Sequence, residues 1–229
     1  MKESFGKLCT PGQDCAILFA RSPALGRVKT RLESHLTPEQ ACRLHCAMTS
    51  DVAGMLAQAL PNAQKWIFFS DALLRTPASN GLKLPVEFSV GLQEGADLGE
   101  RLGDAFTRAL SSGARRVVIF GSDSPTLPPA VAAQAFEALA DRDLVLGPTE
   151  DGGYYLIGCR RFHPALFENV VWSSPRAFEQ TRANAERLGY TAQVLEPWFD
   201  VDEWQDLERL REQRRAGHSL PPHLAAFLE

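Results

Sequence analysis

No apolar run in this 229-residue sequence approaches the roughly 18 residues that a membrane-spanning helix needs. Positive charge is not in excess either: 24 Lys and Arg against 28 Asp and Glu leave a net charge of −4. That balance argues against nucleic acid or an anionic membrane as the partner. Any anion site must therefore be a local gathering of basic groups on an acidic chain. Residues 1–12 lack the long apolar stretch of a secretory leader. Cysteine is sparse and odd in number (Cys9, Cys15, Cys42, Cys46, Cys159), which excludes a disulfide framework and points to reduced thiols in a cytoplasm. Cys42 and Cys46 flank His45 on an expected helix, but no second Cys/His pair at zinc-site spacing follows. The five histidines form no pair at catalytic spacing, so none is given a role. Repeats and low-complexity linkers are absent, and a single domain is expected, with a core of about 14–216 and a tail of 217–229.

What is present is an alternation of strand-like and helical patterns, the signature of an α/β fold. Strands are expected at 15–20, 65–70, 86–90, 116–121, 144–147, 154–158 and 191–195, with an irregular stretch at 71–85. Thr37-Pro38-Glu39-Gln40 supplies an N-cap, a first-turn proline and a capping-box glutamine for the first helix. Asp97 with Glu100 starts a second helix that stops near Gly113. Further helices are expected at 129–140, from Ser174-Pro175 to Gly189, and at 204–216.

The loop Ala20–Leu32 leaves the carboxyl end of the first strand, the edge where open α/β sheets bind ligands. It holds four cations (Arg21, Arg27, Lys29, Arg31), the hydroxyls of Ser22 and Thr30, and Gly26. Guanidinium forks and an ammonium suit phosphate oxygens; the alternative is a solvated basic loop. It is neither a Walker A loop nor a Gly-x-Gly-x-x-Gly turn. The fourth strand runs into Gly121-Ser122-Asp123-Ser124-Pro125. Asp123 there suits Mg²⁺ shared with substrate phosphates, or a simple turn before proline. A second acidic site is Asp200-Val201-Asp202. Asp202 with Gln205 reads as a helix cap, which leaves Asp200 as the second candidate metal ligand.

The turn Glu150-Asp151-Gly152-Gly153-Tyr154-Tyr155 sets two carboxylates beside a diglycine. Asp-Gly alone explains a tight hairpin. The functional reading is an acceptor pocket, with Glu150 or Asp151 as general base and the tyrosines as a flat wall. Trp172, before Ser173-Ser174, is either packing or a flank of that pocket.

The strings Phe19-Ala20-Arg21-Ser22-Pro23, Gly26-Arg27-Val28-Lys29-Thr30-Arg31-Leu32, Asp97-Leu98-Gly99-Glu100-Arg101, Gly121-Ser122-Asp123-Ser124-Pro125 and Asp151-Gly152-Gly153-Tyr154-Tyr155 occur in this order. Together they resemble a bacterial glycosyltransferase-like family of unassigned function, some members of which are assigned to arsenosugar biosynthesis. The resemblance covers roughly residues 16–210 and implies the GT-A fold, a Rossmann-like three-layer α/β/α sandwich with a mixed, mostly parallel sheet. It implies a nucleotide-binding side built from Ala20, Arg21, Ser22, Gly26, Arg27 and Lys29–Arg31. Gln93, Gly99, Arg101 and Ser122 would extend that side. Gly152, Gly153, Tyr154 and Trp172 would bind the acceptor; Asp123 and Asp200 would hold Mg²⁺ or Mn²⁺. The chain departs from metal-dependent glycosyltransferases in having Ser122-Asp123-Ser124 in place of an Asp-x-Asp pair, which looks more like a nucleotidylyltransferase.

Three functions follow. The first is glycosyl transfer from a nucleotide-diphosphate sugar to a small acceptor, with Lys29, Glu150 and Asp151 as the catalytic side chains. The second is nucleotidyl transfer from a nucleoside triphosphate to a phosphorylated substrate, releasing pyrophosphate. The third is a nucleotide-binding module without catalysis.

Overall fold

The computed structural model describes residues 8–71 and 81–229. Most of the irregular stretch expected at 71–85 lies outside the described residues.

The central strands form because short apolar runs are buried on both faces. In β1 (Asp14–Ala20), Ala16, Leu18 and Ala20 turn to one side, and Cys15, Ile17 and Phe19 to the other. β4 (Arg116–Gly121) repeats this, with Val118 and Phe120 opposed to Val117 and Ile119. These join β2 (Gln64–Phe69), β3 (Phe88–Leu92), β5 (Leu144–Pro148), β6 (Tyr154–Cys159) and β7 (Ala192–Val194) in a seven-stranded sheet of order β3-β2-β1-β4-β6-β5-β7. All neighbours pair in parallel except β6, which runs against both β4 and β5.

Helices cover both faces. α1 (Pro38–Ala59) and α3 (Pro129–Ala138) pack on the Leu18 side; α2 (Leu98–Ser111) and α4 (Ala177–Arg187) pack on the Ile17 side. Each large apolar side chain so buried contributes about 1.5–3 kcal/mol relative to exposure. α5 (Trp204–Arg215) and α6 (Pro222–Phe227) build a third cluster with α1, in which Leu32, Leu44, Val201, Leu207 and Leu224 are buried together.

The capping box expected for α1 is present: Gln40 N donates to Thr37 Oγ1 and Thr37 N to Gln40 Oε1. Asp97 caps α2 by accepting from Glu100 N at 2.9 Å. The starts of the third strand and the fourth helix differ from expectation. The third strand begins at Phe88 instead of Val86, because Phe88 N closes a turn onto the Pro85 carbonyl and leaves Val86 in solvent. The fourth helix begins at Ala177, after the Ser174 carbonyl accepts from Ala177 N. The tail at 217–229, whose structure the sequence left open, contains α6.

The single reversed strand matters for the site. Six strands end at one edge, and β6 begins there, so the loops at 21–32, 93–97, 122–127, 149–153 and 195–203 all gather at that edge.

Candidate functional site

The basic loop is pinned at both ends and divides its cations. Ser22 is buried: its hydroxyl donates to the Asp71 carbonyl at 2.7 Å and its N–H to Ser70 Oγ. Below the loop, His45 Nε2 donates to the Arg21 carbonyl at 2.9 Å. Burial of that imidazole outweighs the pull of Asp123 and holds its pKa down. Val28 and Leu32 are buried anchors. Gly26 takes φ +67° with open space around its α-carbon, so its role is to turn the chain. Arg21, Arg27, Thr30 and Arg31 face solvent, with Arg21 also reaching the Arg27 carbonyl at 3.5 Å and Arg31 lying 3.6 Å from Glu203.

Lys29 alone turns inward, from a left-handed backbone (φ 50°, ψ 39°). Its side chain is 5% exposed. Its ammonium contacts Asp123 Oδ1 at 2.5 Å, Asp202 Oδ1 at 2.7 Å and the Val201 carbonyl at 2.7 Å. Burial works against the charge on Lys29, but Asp123 and Asp202 overcome it and raise its pKa. Burial likewise disfavours the Asp123 carboxylate, yet Lys29 holds it below the ordinary range. Val201 N donates to the Asp123 carbonyl at 2.8 Å, stitching the end of β4 to the segment after β7.

Asp202 and Asp200 make contacts other than those read from the sequence. Asp202 is not the cap of α5: Glu203 holds that position, and Asp206 Oδ2 accepts from both Glu203 N and Asp202 N. The Asp202 carboxylate is thereby free to meet Lys29. Asp200, expected with Asp123 as a metal ligand, accepts the Ser124 hydroxyl. Burial and the neighbouring Asp123 push its pKa up to about 7. Among the described residues no three His, Cys, Asp or Glu side chains converge on one metal position.

The hairpin at 149–153 is held by its own chemistry. Asp151 Oδ1 accepts from Thr149 Oγ1 at 2.5 Å and from Gly153 N at 3.1 Å. Gly152, at φ +88°, has the Pro175 backbone against it. Glu150 forms a two-pronged pair with Arg209 of α5, whose guanidinium also lies over the Phe199 ring. The expected wall of two tyrosines does not form, because successive strand residues face opposite ways. Tyr155 goes to the α1 side and donates to the Glu196 carbonyl. Tyr154 goes to the α2 side, edge-on to Trp172. Its hydroxyl is buried without a partner among the described residues, and that burial raises its pKa.

On the side expected to bind nucleotide, Gln93 donates to the Ala20 and Phe68 carbonyls, and Arg101 to the Gly95 carbonyl. Ser122 is buried beside Asp123. The structure thus joins Lys29 to the acidic strand ends, while Gln93, Gly99 and Arg101 shape the neighbouring loop. A cavity of about 540 Å³ lies apart from the Lys29 cluster, along α2, between Gly99, Gly103, Phe162 and Phe167.

Residues 54–174 match the family model described as an uncharacterized protein conserved in bacteria, DUF2064. The chain belongs to this family. A crystal structure from Desulfovibrio desulfuricans G20, of a protein provisionally assigned as a nucleotide-diphospho-sugar transferase, is 30% identical to it, with 93% of each chain covered and a TM-score of 0.84. Two more distant neighbours share the fold. One is CMP:2-keto-3-deoxy-manno-octonic acid synthetase complexed with CTP, at 13% identity and TM-score 0.57, covering 90% of this chain and 100% of that one. The other is 4-diphosphocytidyl-2C-methyl-D-erythritol synthase from Anaerococcus prevotii DSM 20548, at 10% identity and 0.58, covering 89% and 96%. No curated protein matches the sequence. The DUF2064 chain therefore has the GT-A type of α/β fold, and no helix among its described residues is long and apolar enough to cross a membrane.

At this candidate site, sequence reasoning gave Asp202 the wrong contact and gave His45 no role. Asp202 was hidden by its resemblance to a cap, although its spacing from Asp200 was a signal. His45 gave none, because its partner is a backbone carbonyl 24 residues away.

Proposed function

We propose that this DUF2064 chain is a nucleotide-using transferase whose reaction centre is the crevice where Lys29 meets Asp123 and Asp202. The observation that carries this reading is the buried ammonium between two carboxylates at the strand-end edge, in a loop that also bears three exposed arginines. Arg21, Arg27 and Arg31 would grip the diphosphate, and Lys29 would offset charge that grows on it as the donor bond breaks. Asp123 and Asp202 are 41% and 40% exposed and each keeps a second carboxylate oxygen. Two half-open carboxylates fit Mg²⁺ or Mn²⁺, which complete their shells with water and phosphate oxygens. Such an ion would neutralise the leaving diphosphate. The five thiols, all unpaired, fit a reducing cytoplasm.

The donor we favour is a nucleotide-diphosphate sugar. The acceptor oxygen attacks the anomeric carbon, the bond to the β-phosphate oxygen breaks, and Glu150 takes the acceptor proton. Glu150 suits this better than Asp151, because its pair with Arg209 is exposed and of small energy, whereas Asp151 is built into the turn. Nucleotidyl transfer is a second reading, favoured by the engagement of both carboxylates. A phosphate nucleophile is already ionised and needs no base: its oxygen attacks the α-phosphorus and pyrophosphate leaves.

The test is to incubate the protein with nucleotide sugars, and separately with nucleoside triphosphates plus sugar phosphates, in Mg²⁺. Nucleoside diphosphate release supports the first reading and pyrophosphate the second. Nucleotide binding without turnover, unaltered in Asp123→Asn, would leave only a binding module.

A further inference from the structure

The Lys29 ammonium has three N–H groups, and all three are used: on Asp123 Oδ1, Asp202 Oδ1 and the Val201 carbonyl, at 2.5–2.7 Å. With 5% of its side chain exposed, it offers nothing to a ligand in the crevice. The conformation seen is therefore one in which Lys29 cannot serve a nucleotide phosphate. To do so it must leave its three oxygens, and the two half-exposed carboxylates, stripped of their counter-ion, repel one another. Release becomes favourable only if another cation takes its place. Two carboxylates and a backbone carbonyl are oxygen ligands of the kind hard divalent cations take.

We infer that Lys29 is a tethered occupant of the divalent-cation position, and that the ion and the ammonium exchange: the ion takes the oxygens of Asp123, Asp202 and Val201, and Lys29 turns to the nucleotide phosphates. This rests on the metal-assisted reading above. The backbone is placed for such a swing. Lys29 is in the left-handed region that non-glycine residues seldom hold, three residues after Gly26 in the same region, and Arg27, Thr30 and Arg31 around it are exposed. Val28 and Leu32, both buried, fix the chain on either side, so motion is confined to the Lys29 side chain and the residues 29–31 that carry it. The exchange would also couple the two halves of a metal–nucleotide complex. The ion frees the cation that the phosphates require, and the phosphates hold that cation away from the ion's oxygens.

The test uses Mn²⁺ as probe, read by electron paramagnetic resonance on wild type, Lys29→Met and Lys29→Met/Asp202→Asn. Competition predicts at least tenfold tighter Mn²⁺ binding by Lys29→Met than by wild type, lost again in the double variant. Wild type supplies a second measurement that needs no variant to fold. Acetylation of Lys29 by an amine-reactive ester should accelerate several-fold as Mn²⁺ saturates, with exposed Lys83 as the unaffected reference. Equal or weaker binding by Lys29→Met, or Mn²⁺ saturation without any rise in Lys29 acetylation, overturns the exchange while leaving metal assistance standing. If neither protein binds Mn²⁺, with or without nucleotide, metal assistance fails and the exchange falls with it.

Discussion

Trp172 lies against Gly99 in the first turn of α2, so close that a β-carbon at position 99 would stand 2.7 Å from the indole ring. In an exposed helix, glycine to alanine would gain up to about 1 kcal/mol. Here the indole cannot retreat, because Phe167 and Tyr154 pack on it edge-on. Overpacking of this kind costs about 1–3 kcal/mol and outweighs the helix gain. Gly99→Ala should therefore lower stability in urea unfolding and shift tryptophan fluorescence, with weaker acceptor binding if Trp172 flanks that pocket. A stabilised Gly99→Ala protein would contradict the packing.

Glu150 and Asp151 stand side by side but do different things, and their variants should separate. Glu150→Gln removes only an exposed ion pair, so its stability should change by less than about 1 kcal/mol. If it is the general base, its kcat should fall about 10²–10⁴-fold. Asp151→Asn weakens the acceptor of Thr149 Oγ1 and Gly153 N, and should cost about 1–2 kcal/mol of stability. Unchanged turnover in Glu150→Gln, with pyrophosphate as product, is the signature of nucleotidyl transfer.

Much of this architecture was legible because its causes are local. Continuous apolar runs fix the central strands β1 and β4, and Thr37 with Gln40 fixes the start of α1 through contacts three residues apart. The convergence of Lys29 with Asp123 could be anticipated from one topological rule about strand ends. What could not be read depends on distant partners. Whether Asp202 caps α5 or meets Lys29 turns on a one-residue shift of the helix start, and sequence cannot weigh that against an ammonium 173 residues away. Tyr154 and Tyr155 looked like one wall because adjacency in sequence is opposition in a strand.

Asp143 sets the acid limit of the fold. Buried at the start of β5, it accepts from Arg160, Arg161 and both the N–H and hydroxyl of Thr191. Burial alone would raise its pKa, but these partners hold it far below the usual carboxylate range. A depressed carboxylate stabilises the folded state above its unfolded value, near pH 3.9. That stability drains away as pH falls from there toward the folded value. Urea midpoints should hold steady from pH 7 to 5 as far as Asp143 is concerned, then drop. Asp143→Asn should unfold more easily at pH 7, by about 2 kcal/mol, and show a shallower loss in acid. An acid profile identical to wild type would remove Asp143 from this role.

α6 has no capping side chain of its own, since Pro221 and Pro222 open it. Its first two free amides, His223 N and Leu224 N, both donate to the carboxylate of Asp51 on α1, at 3.0 and 2.7 Å. The imidazole Nδ1 of His223 adds a third donor at 2.8 Å, and the Asp51 side chain has no solvent exposure. Because Leu224 and Leu32 share a buried cluster, this cap also steadies the far end of the Lys29 loop. Asp51→Ala strands two backbone donors and should cost about 2–4 kcal/mol, with hydrogen exchange rising first in α6. His223→Ala keeps both amides bonded and loses the imidazole alone, so its cost should stay near 1 kcal/mol. If the two variants unfold at the same urea concentration, the imidazole holds the tail and the backbone cap does not.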